Sequence, residues 1–538
     1  MKGPFSRPGW GLVFAAAIVL VLVTPQHYRN DVHPANESAR VYAALAIVQY
    51  GTLRLDPVFD RYFPRWRSGS APPNTDASMV DGHYVLDKAP GVTLVAVPVL
   101  AALDACGLDP GAPDAFAWVT WLLTLIISAL PSAVLAVVLG RRLGRWGQPA
   151  FGWLVAVACV LATHWLAYGG LLFGHALAAS LIGLGSLMTL GPIKAGRLDQ
   201  RMQAFSGGLL LGYAVITEYP TAAIVLAVGL ALLADHERRN RLFWVVMGGL
   251  GPAIILLLWN TAAFGDPFQI SYGFKTNTLQ ASIIAHGVFG IGAPSLERLS
   301  ALLFGAKRGL FFVAPWLFMG FVGTFAIVRN QRIALCWRVA VAATVIGFPV
   351  LISGFVDWTA GNSMGPRHLL PILPALAVAT VSWLSLDDSP RRVAWRGIVA
   401  GLAVSSLLVC TVGAWVFPYF DPSVANPIFE VNLPILLDTG FGRTSWDPTG
   451  GLLGFVLGLA VIVALAAGVM RNRSKFRIAA FVIALALPIL HVATGTLPMT
   501  TGQDAGRVVL RERALVYEMN GYDEKASEIR KNLKGRAP

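Results

Sequence analysis

Apolar residues in this chain gather into long unbroken runs rather than the alternation of a half-buried strand. Runs approaching the ~20 residues that cross a bilayer lie near 10–25, 115–139, 150–166, 175–192, 204–217, 219–234, 242–264, 310–328, 333–354, 368–386, 397–417, 450–470 and 478–496. They predict an all-α polytopic membrane protein with about 13 transmembrane helices. Their continuity excludes a membrane β-barrel, whose strands alternate. The runs 204–217 and 219–234 are short and meet at Thr217-Glu218-Tyr219-Pro220. Proline there, preceded by the charge of Glu218, predicts two short helices joined by a tight turn.

Composition agrees with the pattern. Of 538 residues, 55% are hydrophobic and 13% charged, about half the ~25% of soluble domains. The net charge of +13 does not point to a nucleic-acid partner, because Lys and Arg punctuate the gaps between apolar runs instead of forming one basic module. That placement orients helices in a bilayer. Clusters fall at Arg141/Arg142/Arg145, Lys194/Arg197/Arg201, Arg238/Arg239/Arg241, Arg329/Arg332, Arg391/Arg392/Arg396 and Arg471/Arg473/Lys475/Arg477. With the N-terminus inside, thirteen spans put every cluster inside, provided that a further apolar stretch, 89–105, is an interfacial or re-entrant helix on the outer side.

The outer face then collects 26–114, 167–174, the turn at Glu218, 265–309, 355–367, 418–449 and a tail from about 497. This divides the chain into a membrane domain, 1–496, and a short outward helical tail, 497–538, too small for an enzymatic domain of its own. No small-residue cleavage site follows the first run, so it reads as an uncleaved helix. Short arginine-rich inner loops suggest a bacterial plasma membrane with a cytoplasmic N-terminus. The cysteines, Cys106, Cys159, Cys336 and Cys410, have no metal-ligand spacing and read as small buried hydrophobes.

Candidate chemistry concentrates in the polar stretch from His27 to Gly91. Glu37 follows the first run by about twelve residues, in a segment that reads as a surface helix. A carboxylate at such a low-dielectric boundary has the raised pKa of a general base; the alternative is a first-turn residue favoured by the helix dipole and paired with Arg40. Lys88, ahead of 89–105, offers a point charge to a phosphate or simply snorkels to the interface. Asp81, His83 and Asp87 beside it are a possible but less favoured divalent-metal site. His175 opens its span at the outer face, and Glu218 sits at a membrane edge, where ionisable residues are functional candidates. Lys307, Arg308 and Arg367, with His368, are basic or titratable groups on the side the orientation rule leaves poor in cations. Phosphate recognition explains them; headgroup anchoring is the alternative.

Asn36-Glu37-Ser38-Ala39-Arg40 shortly after the first span, and Asp87-Lys88-Ala89-Pro90-Gly91 opening a surface helix, resemble motifs of the GT-C superfamily of integral-membrane glycosyltransferases. The pattern is most similar to the branch of protein O-mannosyltransferases and lipid A aminoarabinose transferases, and the similarity in topology covers most of the chain. The resemblance implies a GT-C-like helical fold with a helical outer first loop. It also implies Glu37 as the catalytic carboxylate and Lys88 as a contact to the phosphate of a polyprenyl-phosphate sugar donor. The chain departs from its relatives where they carry a second acidic residue, since His175 stands there, and where they carry an acidic pair, since Asn36-Glu37 stands there. On this reading Glu37 deprotonates an acceptor hydroxyl on a lipid, glycan or protein, and the sugar is transferred with inversion. The rival is a transporter or flippase for a lipid-linked or anionic substrate, which would also use basic groups and a broken helix pair.

Overall fold

The computed structural model describes residues 9–25, 27–28, 34–64, 66, 76–146, 148–191, 197–274, 282–440, 452–471, 475–493, 499–501 and 504–534. Lys194 and Arg473 of the basic clusters lie outside them. Every apolar run is mostly helical where it is described. Among the described residues, six helices are long and apolar enough to cross a membrane: Phe116–Leu143, Arg241–Phe264, Leu335–Ile352, Arg367–Leu384, Pro390–Val416 and Leu452–Met470. Shorter apolar helices include α1 (Gly9–Val23), Pro149–Leu161, Gly174–Thr189, Tyr219–Ala234 and Pro315–Arg329. The chain is an all-α, multi-pass membrane protein. Pro149–Leu161 and Gly174–Thr189 are almost wholly buried, and the other helices surround them.

Prolines decide where helices break. Glu218 is extended between Arg197–Thr217 and the turn Tyr219–Thr221, as the sequence predicts. The run 310–328 is not one helix, however. Ala314 is forced out of helical geometry (φ −141°, ψ 70°) ahead of Pro315, because the proline ring disfavours the α conformation in the preceding residue. Leu310–Val313 and Phe318–Arg329 result.

The loop after α1 is the part that positions the site. It contains α2 (Ala35–Tyr50), α3 (Asp56–Tyr62), a hairpin of β1 (Ala77–Val80) and β2 (His83–Leu86), and α4 (Gly91–Ala105). α2 starts after Pro34, which is extended. Instead of lying on the surface with a free face, α2 is covered by protein at every position from Glu37 to Ala46. The hairpin turns at Asp81-Gly82 with both residues at positive φ (49° and 79°), the geometry of a two-residue hairpin turn. Its register, Ala77 opposite Leu86 and Val80 opposite His83, brings Asp76 and Asp87 together at its open end, where the Asp87 N–H donates to Asp76 O at 3.3 Å. The Asp76 N–H donates to Ala35 O at 3.1 Å, so the hairpin docks on the first turn of α2.

The tail forms helices Ala505–Met519 and Asp523–Lys534. They rest on the segment 416–439, with Val516 and Tyr517 packed among Val416, Phe417, Val431 and Ile435. Arg513 Nε donates to Glu430 O at 2.8 Å, and the Tyr517 hydroxyl to Asp438 at 2.7 Å.

Candidate active site at the loop face

A cavity of about 550 Å³ opens where these loops meet. Its wall takes Asn36 and Glu37 from α2, Asp76 and Lys88 from the two ends of the hairpin segment, and Phe173 and Tyr272 from later loops. Asp357, Asn362, Arg367, His368 and Tyr419 add to its polar lining, and Leu515 and Met519 reach it from the tail.

Glu37 is fully buried. Its Oε1 accepts a 2.6 Å hydrogen bond from the Tyr419 hydroxyl, while Oε2 has no hydrogen-bond partner among the described residues. Burial raises its pKa to about 7, against the opposing hydrogen bond from Tyr419 and the nearby charge of Arg40. A carboxyl group in this state is half ionised near neutrality, which suits proton abstraction.

Behind Glu37 lies a group of opposed charges. One turn along α2, Arg40 donates to Asn36 O at 2.8 Å and approaches Glu218 Oε1 at 3.5 Å. Glu218 Oε1 also lies 3.2 Å from His175 Nδ1. Burial pushes the Glu218 pKa up, and Arg40, Arg367 and Lys88 all act to lower it. Gly174 makes this arrangement possible, since a Cβ there would lie 2.4 Å from Glu218 Oε1. The His175 ring lies 5.5 Å from that of His368, which stacks on Phe355 at 5.5 Å.

Lys88 is not a free cation. Its Nζ lies 2.9 Å from Asp76 and 3.0 Å from Asp87. Burial acts to lower its pKa, but the two carboxylates outweigh burial and raise it. Arg367 differs: its guanidinium lies 5.2 Å from the Phe173 ring centre, and it forms no ion pair among the described residues. Gly365, at φ +62°, sets the bend before it, and a Cβ there would come within 2.7 Å of His164.

Two expectations from sequence need correction. Lys307 and Arg308 are not in the cavity wall. Lys307 donates to Pro422 O, and Arg308 donates to Thr359 O, Ser363 Oγ and, at 2.9 Å, Phe420 O. Protein oxygens accept from both cations, which tie 355–367 to 418–424. His83 faces Asp56 at 3.5 Å on the outside of the hairpin, Asp81 occupies the turn and Asp87 faces Lys88. Among the described residues no three His, Cys, Asp or Glu side chains gather where they could hold a metal. Tyr419 was not found from sequence. It sits 382 residues from Glu37, and nothing local in Phe417-Pro418-Tyr419-Phe420 marks it.

A multi-pass helical protein with a polar, partly charged cavity at its loop face is therefore what the chain forms. No protein-family model matches it, and no curated protein matches it. Among solved structures it is similar to ArnT from Cupriavidus metallidurans in the apo state, at 14% identity and a TM-score of 0.42, over 86% of this chain and 77% of that one. The same protein bound to undecaprenyl phosphate gives 14% identity and a TM-score of 0.42, over 86% and 78%. It is also similar to the Archaeoglobus fulgidus oligosaccharyltransferase in its apo form, at 13% identity and a TM-score of 0.43, over 87% of this chain and 57% of that one.

Proposed function

We propose that the chain is a GT-C-type membrane glycosyltransferase that moves a sugar from a polyprenyl-phosphate donor to an acceptor hydroxyl at this cavity. The observation that carries the reading is Glu37, a buried carboxyl group with one oxygen held by Tyr419 and the other unpartnered in a cavity wall. Its pKa of about 7 fits a general base. In the reaction, the acceptor oxygen forms a bond to the anomeric carbon as the bond from that carbon to the phosphate oxygen breaks, with inversion. The hydroxyl proton passes to Glu37, and polyprenyl phosphate leaves. Arg367 meets the phosphate most directly, as a guanidinium suits phosphate oxygens in a two-pronged contact. Lys88, shared with Asp76 and Asp87, assists from the rim. Stabilising charge on the leaving phosphate lowers the barrier to its departure. His175, Glu218 and Arg40 hold the floor of the site, and His368 borders the sugar. The acceptor is a lipid, glycan or protein hydroxyl. The site faces outward from a bacterial plasma membrane, with the N-terminus cytoplasmic and the tail outside.

The test uses full-length protein in lipid nanodiscs with undecaprenyl phosphate carrying a panel of labelled sugars. Release of undecaprenyl phosphate together with a glycosylated product supports the transferase. Movement of intact donor across proteoliposomes without bond cleavage would instead support a transporter.

A further inference from the structure

We propose that Tyr419 is a positioning residue for Glu37, holding one carboxyl oxygen while the other stays free of hydrogen bonds among the described residues, in a side chain that lines the cavity. This rests on the transferase reading for its catalytic meaning, but the geometry stands by itself. The Tyr419 hydroxyl donates to Glu37 Oε1 at 2.6 Å, and Oε2 has no hydrogen-bond partner among the described residues. A carboxyl group with one fixed oxygen cannot rotate freely, so the remaining lone pairs keep one direction.

The support under Tyr419 is built for fixity. It lies on the extended segment that leaves the helix Pro390–Val416 at Phe417 (φ −165°, ψ 111°). The Asn432 amide donates to three carbonyls at this exit, those of Val412, Gly413 and Phe417, at 3.3, 3.1 and 2.9 Å. Asn520 of the tail donates to Val416 O at 3.1 Å. The His27 ring stands edge-on to the Tyr419 ring at 6.5 Å and is itself tied to Ala414 O at 2.8 Å. Phe417 and Phe173 pack on the phenol at 5.4 and 6.4 Å. A helix end, a loop and the tail therefore converge on the segment that carries Tyr419.

Other groups around Glu37 do not take this role. On its own helix, Arg40 is engaged with Asn36 and Glu218. From the hairpin, Asp76 raises the Glu37 pKa and Lys88 is held by Asp76 and Asp87. The Tyr28 hydroxyl is bonded to Thr124 and Leu172, and that of Tyr168 donates to Met364 O at 2.8 Å. Arg367 and His368 border the same cavity. The phenol of Tyr419 is pushed well above its ordinary range by burial and by the Glu37 charge. It therefore keeps its proton and acts as a donor throughout.

The sign of the effect follows. The Tyr419 hydrogen bond favours ionised Glu37, so its removal raises the Glu37 pKa by about one unit, the scale of a lost bond to a charged group. The experiment is an infrared titration of the protonated carboxyl stretch in full-length protein in nanodiscs, assigned by its loss in Glu37→Gln. In Tyr419→Phe the midpoint moves up from about 7, whereas a difluorotyrosine at 419, a stronger donor, moves it down. Turnover of Tyr419→Phe falls about eightfold near pH 6.5 and recovers at about pH 9, as a one-unit shift requires. An unchanged or lowered midpoint in Tyr419→Phe, an unmoved midpoint with difluorotyrosine, or an equal loss of turnover at every pH overturns the proposal. The titration needs no substrate, so it reads the role of Tyr419 even if Glu37→Gln were to retain transfer and refute the transferase reading.

Discussion

Replacing Lys88 by Met removes a cation from between two carboxylates. Its Nζ lies 2.9 Å from Asp76 and 3.0 Å from Asp87, and the side chains are 20%, 21% and 2% exposed respectively. At that separation and an effective dielectric of ~20, each contact contributes roughly 5 kcal/mol of attraction. Withdrawing the ammonium from water costs several kcal/mol, so the triad is close to neutral against an apolar replacement of all three groups. Removing the cation alone is different, because Asp76 and Asp87 remain side by side at the open end of the hairpin. The expected loss is about 3–5 kcal/mol, measured by equilibrium unfolding of full-length protein in mixed detergent micelles. The double variant Lys88→Met/Asp76→Asn recovers part of it, since one of the facing charges is gone. The Lys88 pKa is raised in the folded protein, so its contribution is complete below the ordinary lysine value of 10.5 and is lost as pH rises through the higher folded value. A loss under about 1 kcal/mol, or no recovery in the double variant, would refute a structural ion triad at the hairpin.

Arg308→Ala costs about 2–4 kcal/mol, because Thr359 O, Ser363 Oγ and Phe420 O lose their shared donor and buried acceptors left without one are costly; Arg308→Lys restores little, as one ammonium cannot replace the guanidinium fork, and the same unfolding assay reads both. Arg367→Met weakens binding of undecaprenyl phosphate at least about tenfold, the scale of one charge-assisted contact, measured by native mass spectrometry of the complex. Wild-type turnover rises with pH through a midpoint of about 7, because ionised Glu37 is the active form; a pH-rate profile that is flat from about pH 5 to 9 would remove Glu37 from the role of base.

The spans were legible because continuous apolar runs of bilayer length have few other uses, and the Glu218 turn was legible because Pro220 stands beside it. The break at Pro315 is not legible from the length of the run, which suits a single span; it comes from the restriction that proline places on Ala314. The Asp81-Gly82 hairpin was also missed. That dipeptide is a strong turn signal between two short alternating stretches. Glu37, Lys88, Arg367 and His368 stood out as polar residues near span ends, and the structure brings them to one cavity. The partners that define their chemistry were not readable. Tyr419 lies hundreds of residues from Glu37 and looks like an interfacial aromatic. Arg308 looks the same in sequence whether it meets phosphate or carbonyls, and only the packing of 355–367 against 418–424 tells them apart. The tail is too small for an enzymatic domain of its own, yet Leu515 and Met519 line the cavity, a consequence of where segment 416–439 carries it.

The most direct test of the central claim is turnover of undecaprenyl-phosphate sugar by Glu37→Gln in correctly inserted, full-length protein. Glutamine keeps the shape of the side chain and an oxygen for Tyr419, but cannot accept a proton from the acceptor hydroxyl. Transfer is expected to fall by at least about a hundredfold, the scale of general-base catalysis, with undecaprenyl phosphate still bound. Transfer at the wild-type rate would contradict Glu37 as the catalytic base.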